Sequence, residues 1–356
     1  MMKQLFVAAI LCISVSSTAL ELEMPEIGGH ILIDYLSMSQ DSSYNQSGVF
    51  VAASNRFSVR KATIEIKGAA GELIEYEATF GLASCLGSGM TMALMEAGIR
   101  VSPLEDKRFV LGMGMFHVRR GFELGCDCGH TLTAEKPMYR KVISPSCHPL
   151  GAVLETDLNL GSVGGLEAQI VYANGNTGTI NEEHDANFAL FYRLPMEGLT
   201  IGGFYNDLAM EMNPENEGYE DASRYGFGLD YEADGIAVRT EMIQVKGILP
   251  GMRPAGCSDT GENVENICLF AQAGYSFNTE LEEIPSITPY LSYQSWDRWS
   301  NDDSGDYEFS WITGGVKTCI GSPDTYITLD YRVPATTPEG LNEDASVLTA
   351  RLGLAY

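Results

Sequence analysis

"SVLTARLGLAY", Ser346 to Tyr356, closes the chain, and its reading decides the fold. Leu348, Ala350, Leu352, Leu354 and Tyr356 fall on one face of an extended strand, and Thr349, Arg351, Gly353 and Ala355 on the other. This is the two-residue period of a pleated sheet. One apolar face ending on an aromatic residue fits two settings, the edge of a soluble sandwich or a strand of a membrane barrel. The remainder of the sequence chooses between them.

At the other end, Met1-Met2-Lys3 precedes an apolar stretch from Leu5 to Val15 and then Ser17-Thr18-Ala19, the pattern of a secretory signal cleaved after Ala19. Residues 20–356 are then the mature chain. Beyond the signal no run of about 18 apolar residues occurs, so a membrane-spanning structure has to be a barrel. The formal charge is −26, and cleavage removes one more positive group, Lys3, to give −27. Such acidity argues against nucleic acid as a partner and against polybasic docking on anionic lipid. The 38 glycines and 17 tyrosines suit many tight turns and many interfacial rings.

Period-two segments recur through the chain. They predict strands at residues 29–38, 55–67, 72–82, 91–101, 107–117, 150–160, 165–173, 186–194, 199–205, 224–231, 235–245, 266–277, 286–295, 307–318, 324–333 and 346–356. That is an even set of 16, near the ten residues that a tilted barrel strand requires. Connections alternate in length. Short ones such as Gly68 to Gly71, Gly161 to Gly164 and Pro195 to Gly198 are interleaved with long ones such as 39–54, 118–149, 206–223 and 246–265. A sandwich has no reason to gather every long loop at one end. An outer-membrane barrel does, with tight periplasmic turns and long external loops.

The faces agree. Ala62, Ile64, Ile66, Ile74, Tyr76, Ala78, Phe80, Ala93, Met95, Ala97, Ile99, Phe109, Leu111, Met113 and Met115 form a side suited to hydrocarbon. Lys61, Thr63, Glu65, Lys67, Glu75, Glu77, Thr79, Glu96, Arg100 and Arg108 form the opposite side. Charges at that density are expensive in a dry core, so they line water. The fold class is therefore all-β, a transmembrane antiparallel barrel of 16 strands, with Tyr356 at the periplasmic interface.

"GGHILIDYLSMSQD" and "NRFSVRKATIEIKGAAGELIEYEATF", with "VLGMGMFHVRRGFEL" further on, resemble the opening of the phosphate-selective porins of the O and P type. The likeness covers about Gly28 to Glu123. It implies a channel for small anionic solutes such as phosphate, usually a homotrimer, set in outer-membrane lipid and lipopolysaccharide. Tyr356 resembles the C-terminal aromatic that the barrel-assembly machinery reads. The chain departs from those porins in lacking their abundance of pore arginines and lysines, which leaves a general or cation-preferring acidic porin as the alternative. An outer-membrane barrel hydrolase and a structural barrel are alternatives of another class. No G-x-S-x-G occurs and the five histidines are scattered, so no catalytic group is assigned.

The longest connection, 118–149, follows the fifth strand, where such porins fold a loop into the lumen. Arg119, Arg120, Lys136, Arg140 and Lys141, with His117 beside them, make it the most basic loop. Facing Glu75, Glu77 and Glu96, they would either set a transverse field that sorts solutes or pair with the wall and hold the loop down. The loop also carries Cys126, Cys128 and Cys147. The one-residue spacing and an oxidising compartment favour a disulfide from Cys126 or Cys128 to Cys147 over a zinc site. A local Cys257 to Cys268 bridge is the second candidate. No metal and no cofactor is expected.

Overall fold

The computed structural model describes residues 23–38, 55–81, 93–104, 107–122, 131–134, 149–174, 184–208, 222–246, 265–299, 307–336 and 346–356. The signal peptide, the basic residues Lys136, Arg140 and Lys141, and Cys126, Cys128, Cys147 and Cys257 lie outside the described residues.

Strands that follow one another in the chain pair antiparallel, one of them being broken into two segments that share a neighbour, and the last pairs with the first. In order they are β1 Glu26–Met38, β2 Arg56–Ala70, β3 Ile74–Gly81, β4 Ala93–Val101, β5 Phe109–Met115, β6 Leu150–Asn159, β7 Gly165–Asn174, β8 His184–Arg193 and β9 Leu199–Leu208. They continue as β10 Ala222–Ala233, β11 Ile236–Lys246, β12 Glu265–Tyr275, β13 Phe277–Asn278, β14 Ser286–Trp299, β15 Tyr307–Ile320, β16 Ser322–Thr336 and β17 Val347–Ala355. β12 and β13 both pair with β14 and are interrupted only at Ser276, so 17 segments build 16 barrel strands. Each overlaps one of the predicted segments. Closure removes the free edges that an open sheet would leave unpaired in lipid.

Packing is inside out relative to a soluble protein. In the closing strand Leu348, Leu352, Leu354 and Tyr356 are exposed, whereas Val347, Thr349 and Arg351 are buried. The same contrast runs round the barrel: Ile99, Phe109, Leu111, Met113 and Ile170 face outward, and Thr63, Thr79, Gln169, Gln272 and Thr328 are buried inward. Aromatic residues collect near both ends of the outer face. Tyr35 packs on Phe57 at 4.8 Å between ring centroids towards the long loops, and Tyr275 on Phe277 at 4.7 Å towards the short turns. These positions suit the two interfacial zones of a bilayer.

Among the described residues the ladder shifts register at four places, two of them between β15 and β16, and the shifts in β2 and β4 correct the simple alternation. Leu32 pairs with Lys61 and Ile33 with Val59, so Arg60 is an extra residue in β2. Phe57 and Val59 face out before it and Thr63 is buried after it, which turns both Arg60 and Lys61 to the inner side. In β4, Thr79 pairs with Glu96 and Phe80 with Leu94, leaving Met95 at the bulge. Leu94, 46% exposed, therefore takes the outward position that unbroken alternation assigned to Met95.

The cysteines give a direct check on the inner surface. Cys268 is a free, buried thiol on the inner face of β12, and its expected partner Cys257 lies outside the described residues. Cys319 on β15 is also free but half-buried, and it lines a cavity of about 460 Å³ beneath Leu132. A maleimide applied to the folded protein will label Cys319 and spare Cys268 until denaturation, as peptide mass spectrometry will show.

Candidate functional site: the inner wall and the loop that crosses it

The chain leaves the sheet after Met115 and turns into the barrel. Phe116 is fully buried on the inner wall, where Gly98 and Gly112 leave room for its ring and any added Cβ would strike it. With Val118, Val153, Val171 and Ala173 it forms a small apolar root for the loop.

Three side chains on separate parts of the wall then take backbone N–H groups from the loop. Gln169 on β7 accepts from Arg119 N at 2.8 Å, Glu241 on β11 from Phe122 N at 2.8 Å, and Asp330 on β16 from Ala134 N at 2.8 Å. β7, β11 and β16 stand four strands apart in turn, counting β12 and β13 as one, so these anchors span half of the ring. At the last of them the Tyr290 hydroxyl donates to the same Asp330 oxygen at 3.1 Å, and Lys317 Nζ donates to Thr131 O at 3.2 Å. Phe122 meets Phe191 edge to face at 5.0 Å. Gly121, at φ +85, passes so close to the Glu241 carboxylate that no Cβ fits there. The loop thus lies inside the cylinder against its wall, held by hydrogen bonds that are strong because buried acceptors have few alternatives.

The predicted constriction bases behave differently from one another. Arg119 pairs with Glu167, and its guanidinium lies 3.8 Å from the Phe191 ring centroid. Arg120 is 3% exposed and shares a buried region with Arg224, whose charge it opposes, and with Asp185, which offsets it. Adjacent residues of an extended segment point opposite ways, so the pair divides between two environments. The carbonyl of His117 accepts from Gln169 Nε2 at 3.3 Å.

The predicted wall residues are brought together as ion pairs. Glu65 lies 3.3 Å from His30 Nε2 and 3.0 Å from Lys67 Nζ. Arg100 pairs with Glu77 and approaches Glu155 at 3.4 Å, and the Thr79 hydroxyl donates to Glu96 at 3.2 Å. Lys107, in the turn before β5, pairs with Glu75, and that hydrogen bond holds its ammonium above the ordinary lysine range. Lys61 and Arg108 also have partners within the fold.

Several residues that sequence reasoning did not select belong to the same surface. Arg193 bonds Asp157 and lies 3.2 Å from Glu167, which continues the ion-pair row begun by Arg119. Asp34 and Arg351 form a bidentate pair, 2.7 Å at both contacts, across the seam between β1 and β17. Strand parity would have placed Asp157, Glu167 and Arg351 on the inner face. Their partners are set by register between strands and have no local signature. Among the described residues no group of His, Cys, Asp and Glu could hold a metal ion.

No protein-family model and no curated protein sequence matches this chain. Solved structures do. An anion-selective porin from Comamonas acidovorans aligns with TM-score 0.62 at 13% identity, over 94% of this chain and all of that one. OmpF of Salmonella typhi, solved in complex with daunomycin, gives 0.62 at 11% identity over 94% of this chain and 100% of its own. OmpT of Vibrio cholerae, an outer membrane protein solved in a trimer form, gives 0.60 at 9% identity over 94% and 99%. At such low identity the likeness establishes the fold: this chain is a closed 16-strand antiparallel barrel of the kind that Gram-negative outer-membrane porins adopt.

Proposed function

We propose that the protein is an outer-membrane pore for passive diffusion of small hydrophilic solutes, assembled as a homotrimer and inserted by the barrel-assembly machinery into a membrane bearing lipopolysaccharide. The observation that carries this reading is a closed barrel with an apolar outside, an ion-paired inside and a loop fastened across half of its inner wall. A diffusion pore needs no nucleophile, and we assign no enzymatic role. The signal peptide would deliver the chain across the inner membrane, and residues 118–149 would form the constriction.

Selectivity follows from which charges remain available to solutes. Arg119 is neutralised by Glu167 and Arg120 is buried, which withdraws two of the bases expected to attract anions. In the stretch of wall from Glu77 to Arg193, the acids Glu77, Glu155, Asp157 and Glu167 outnumber the arginines Arg100, Arg119 and Arg193 by one. A general pore with mild cation preference is the better supported reading. An anion pore, with phosphate among its solutes, is the second. Lys136, Arg140 and Lys141 and the anion-selective Comamonas neighbour favour it. Reversal potential in a planar bilayer under a potassium chloride gradient distinguishes them. Our reading predicts a potential on the cation side, and a clear anion-side potential would replace it with the second.

A further inference from the structure

We infer, resting on the pore reading, that the preferred solutes are zwitterions of amino-acid size, which the wall of β4 to β8 recognises through its alternating charges. Arg100 on β4, Glu155 and Asp157 on β6, Glu167 on β7 and Arg193 on β8, with Arg119 from the inner loop, form a row in which each base touches at least one acid. Arg193 bridges Asp157 and Glu167, and Glu167 bridges Arg193 and Arg119. These are not sealed core pairs. The Asp157 side chain is 57% exposed, Arg193 41% and Arg119 36%. Four of the six, Arg119, Glu155, Asp157 and Glu167, line one cavity together with Lys107, and Arg193 lies 3.2 Å from the Glu167 carboxylate of its lining; the cavity's volume is about 270 Å³, enough for one amino acid and its water.

The chemistry selects by charge pattern rather than by net charge. A monovalent cation attracted to Glu167 meets the arginines on both sides of it, and a monovalent anion attracted to Arg193 meets two carboxylates. Each gains at one contact and loses at the next. A solute with an ammonium and a carboxylate a few ångströms apart can satisfy one acid and the adjacent base together, replacing a wall pair by two solute pairs. Exposed ion pairs are weak and exchange readily, so such a solute is concentrated at the wall without being trapped, as conduction requires.

The test is swelling of liposomes containing the full-length protein, in alanine and in its uncharged isomer lactamide, with protein-free rates subtracted. Wild type will pass alanine roughly three- to fivefold faster than lactamide, the scale of one exposed ion pair. In Glu155→Gln/Glu167→Gln, and separately in the single exposed replacement Arg193→Gln, the alanine-to-lactamide ratio measured in one preparation will fall towards one. A wild-type ratio of one, with lactamide passing, overturns the inference and leaves the pore intact. An unchanged ratio in both variants also overturns it, because the preference then has another source. Passage of neither solute removes the pore reading and this inference together.

Discussion

Replacing Asp330 by Ala will release the far end of the inner loop and enlarge the single-channel current. Asp330 Oδ2 accepts two hydrogen bonds, from Ala134 N at 2.8 Å and from the Tyr290 hydroxyl at 3.1 Å, and the carboxylate is 2% exposed. Its removal strands two buried donors at about 1–3 kcal/mol each. A single such loss of about 1.4 kcal/mol shifts the bound-to-released population roughly tenfold. Lys317 still holds Thr131 O, so the loop is loosened at its tip and not freed altogether. Larger, flickering steps are expected from a barrel that still migrates as a folded species on unheated gels. Asp330→Asn keeps an acceptor oxygen and will restore most of the wild-type step size. Wild-type conductance in Asp330→Ala would show that the loop's position does not depend on this anchor.

Arg351→Ala will strongly destabilise barrel closure. Arg351 Nε and Nη2 donate to the two Asp34 oxygens at 2.7 Å, their side chains 4% and 1% exposed. The two residues are direct partners in the register of β17 against β1. Removing one charge leaves the other buried without its counter-ion, at about 3–5 kcal/mol. The seam has further ties. Tyr356 exchanges backbone hydrogen bonds with Gly29, and its hydroxyl reaches Thr63 O on β2 at 3.4 Å. The temperature at which the compact band is lost on gels will fall sharply in Arg351→Ala, and in Asp34→Leu/Arg351→Met it will recover, because both charges are then gone. Equal melting of Arg351→Ala and wild type would mean that the backbone ladder alone fixes the seam.

The barrel was legible because lipid and water impose a period of two on every strand, and the closing Leu348, Leu352 and Leu354 carry it as plainly as any. Bulges escaped. Arg60 and Met95 are ordinary residues whose extra place in the ladder depends on what lies opposite, on β1 and β3. The inner surface was half legible: parity assigns Glu65, Glu77 and Arg100 to the lumen, yet gives no clue that Arg100 reaches both Glu77 and Glu155. Asp34 and Arg351 are 317 residues apart in the chain, and only closure makes them neighbours. Loop anchors escaped for a related reason, since Gln169, Glu241 and Asp330 bind backbone groups, which every sequence offers equally.

In the proposed pore a lipid-embedded cylinder encloses continuous water past the inner loop. Adding the detergent-purified protein to one side of a planar lipid bilayer at fixed voltage measures this directly. Discrete, ohmic current steps that appear one insertion at a time are the expected result. Folded protein that inserts and passes no current would contradict it.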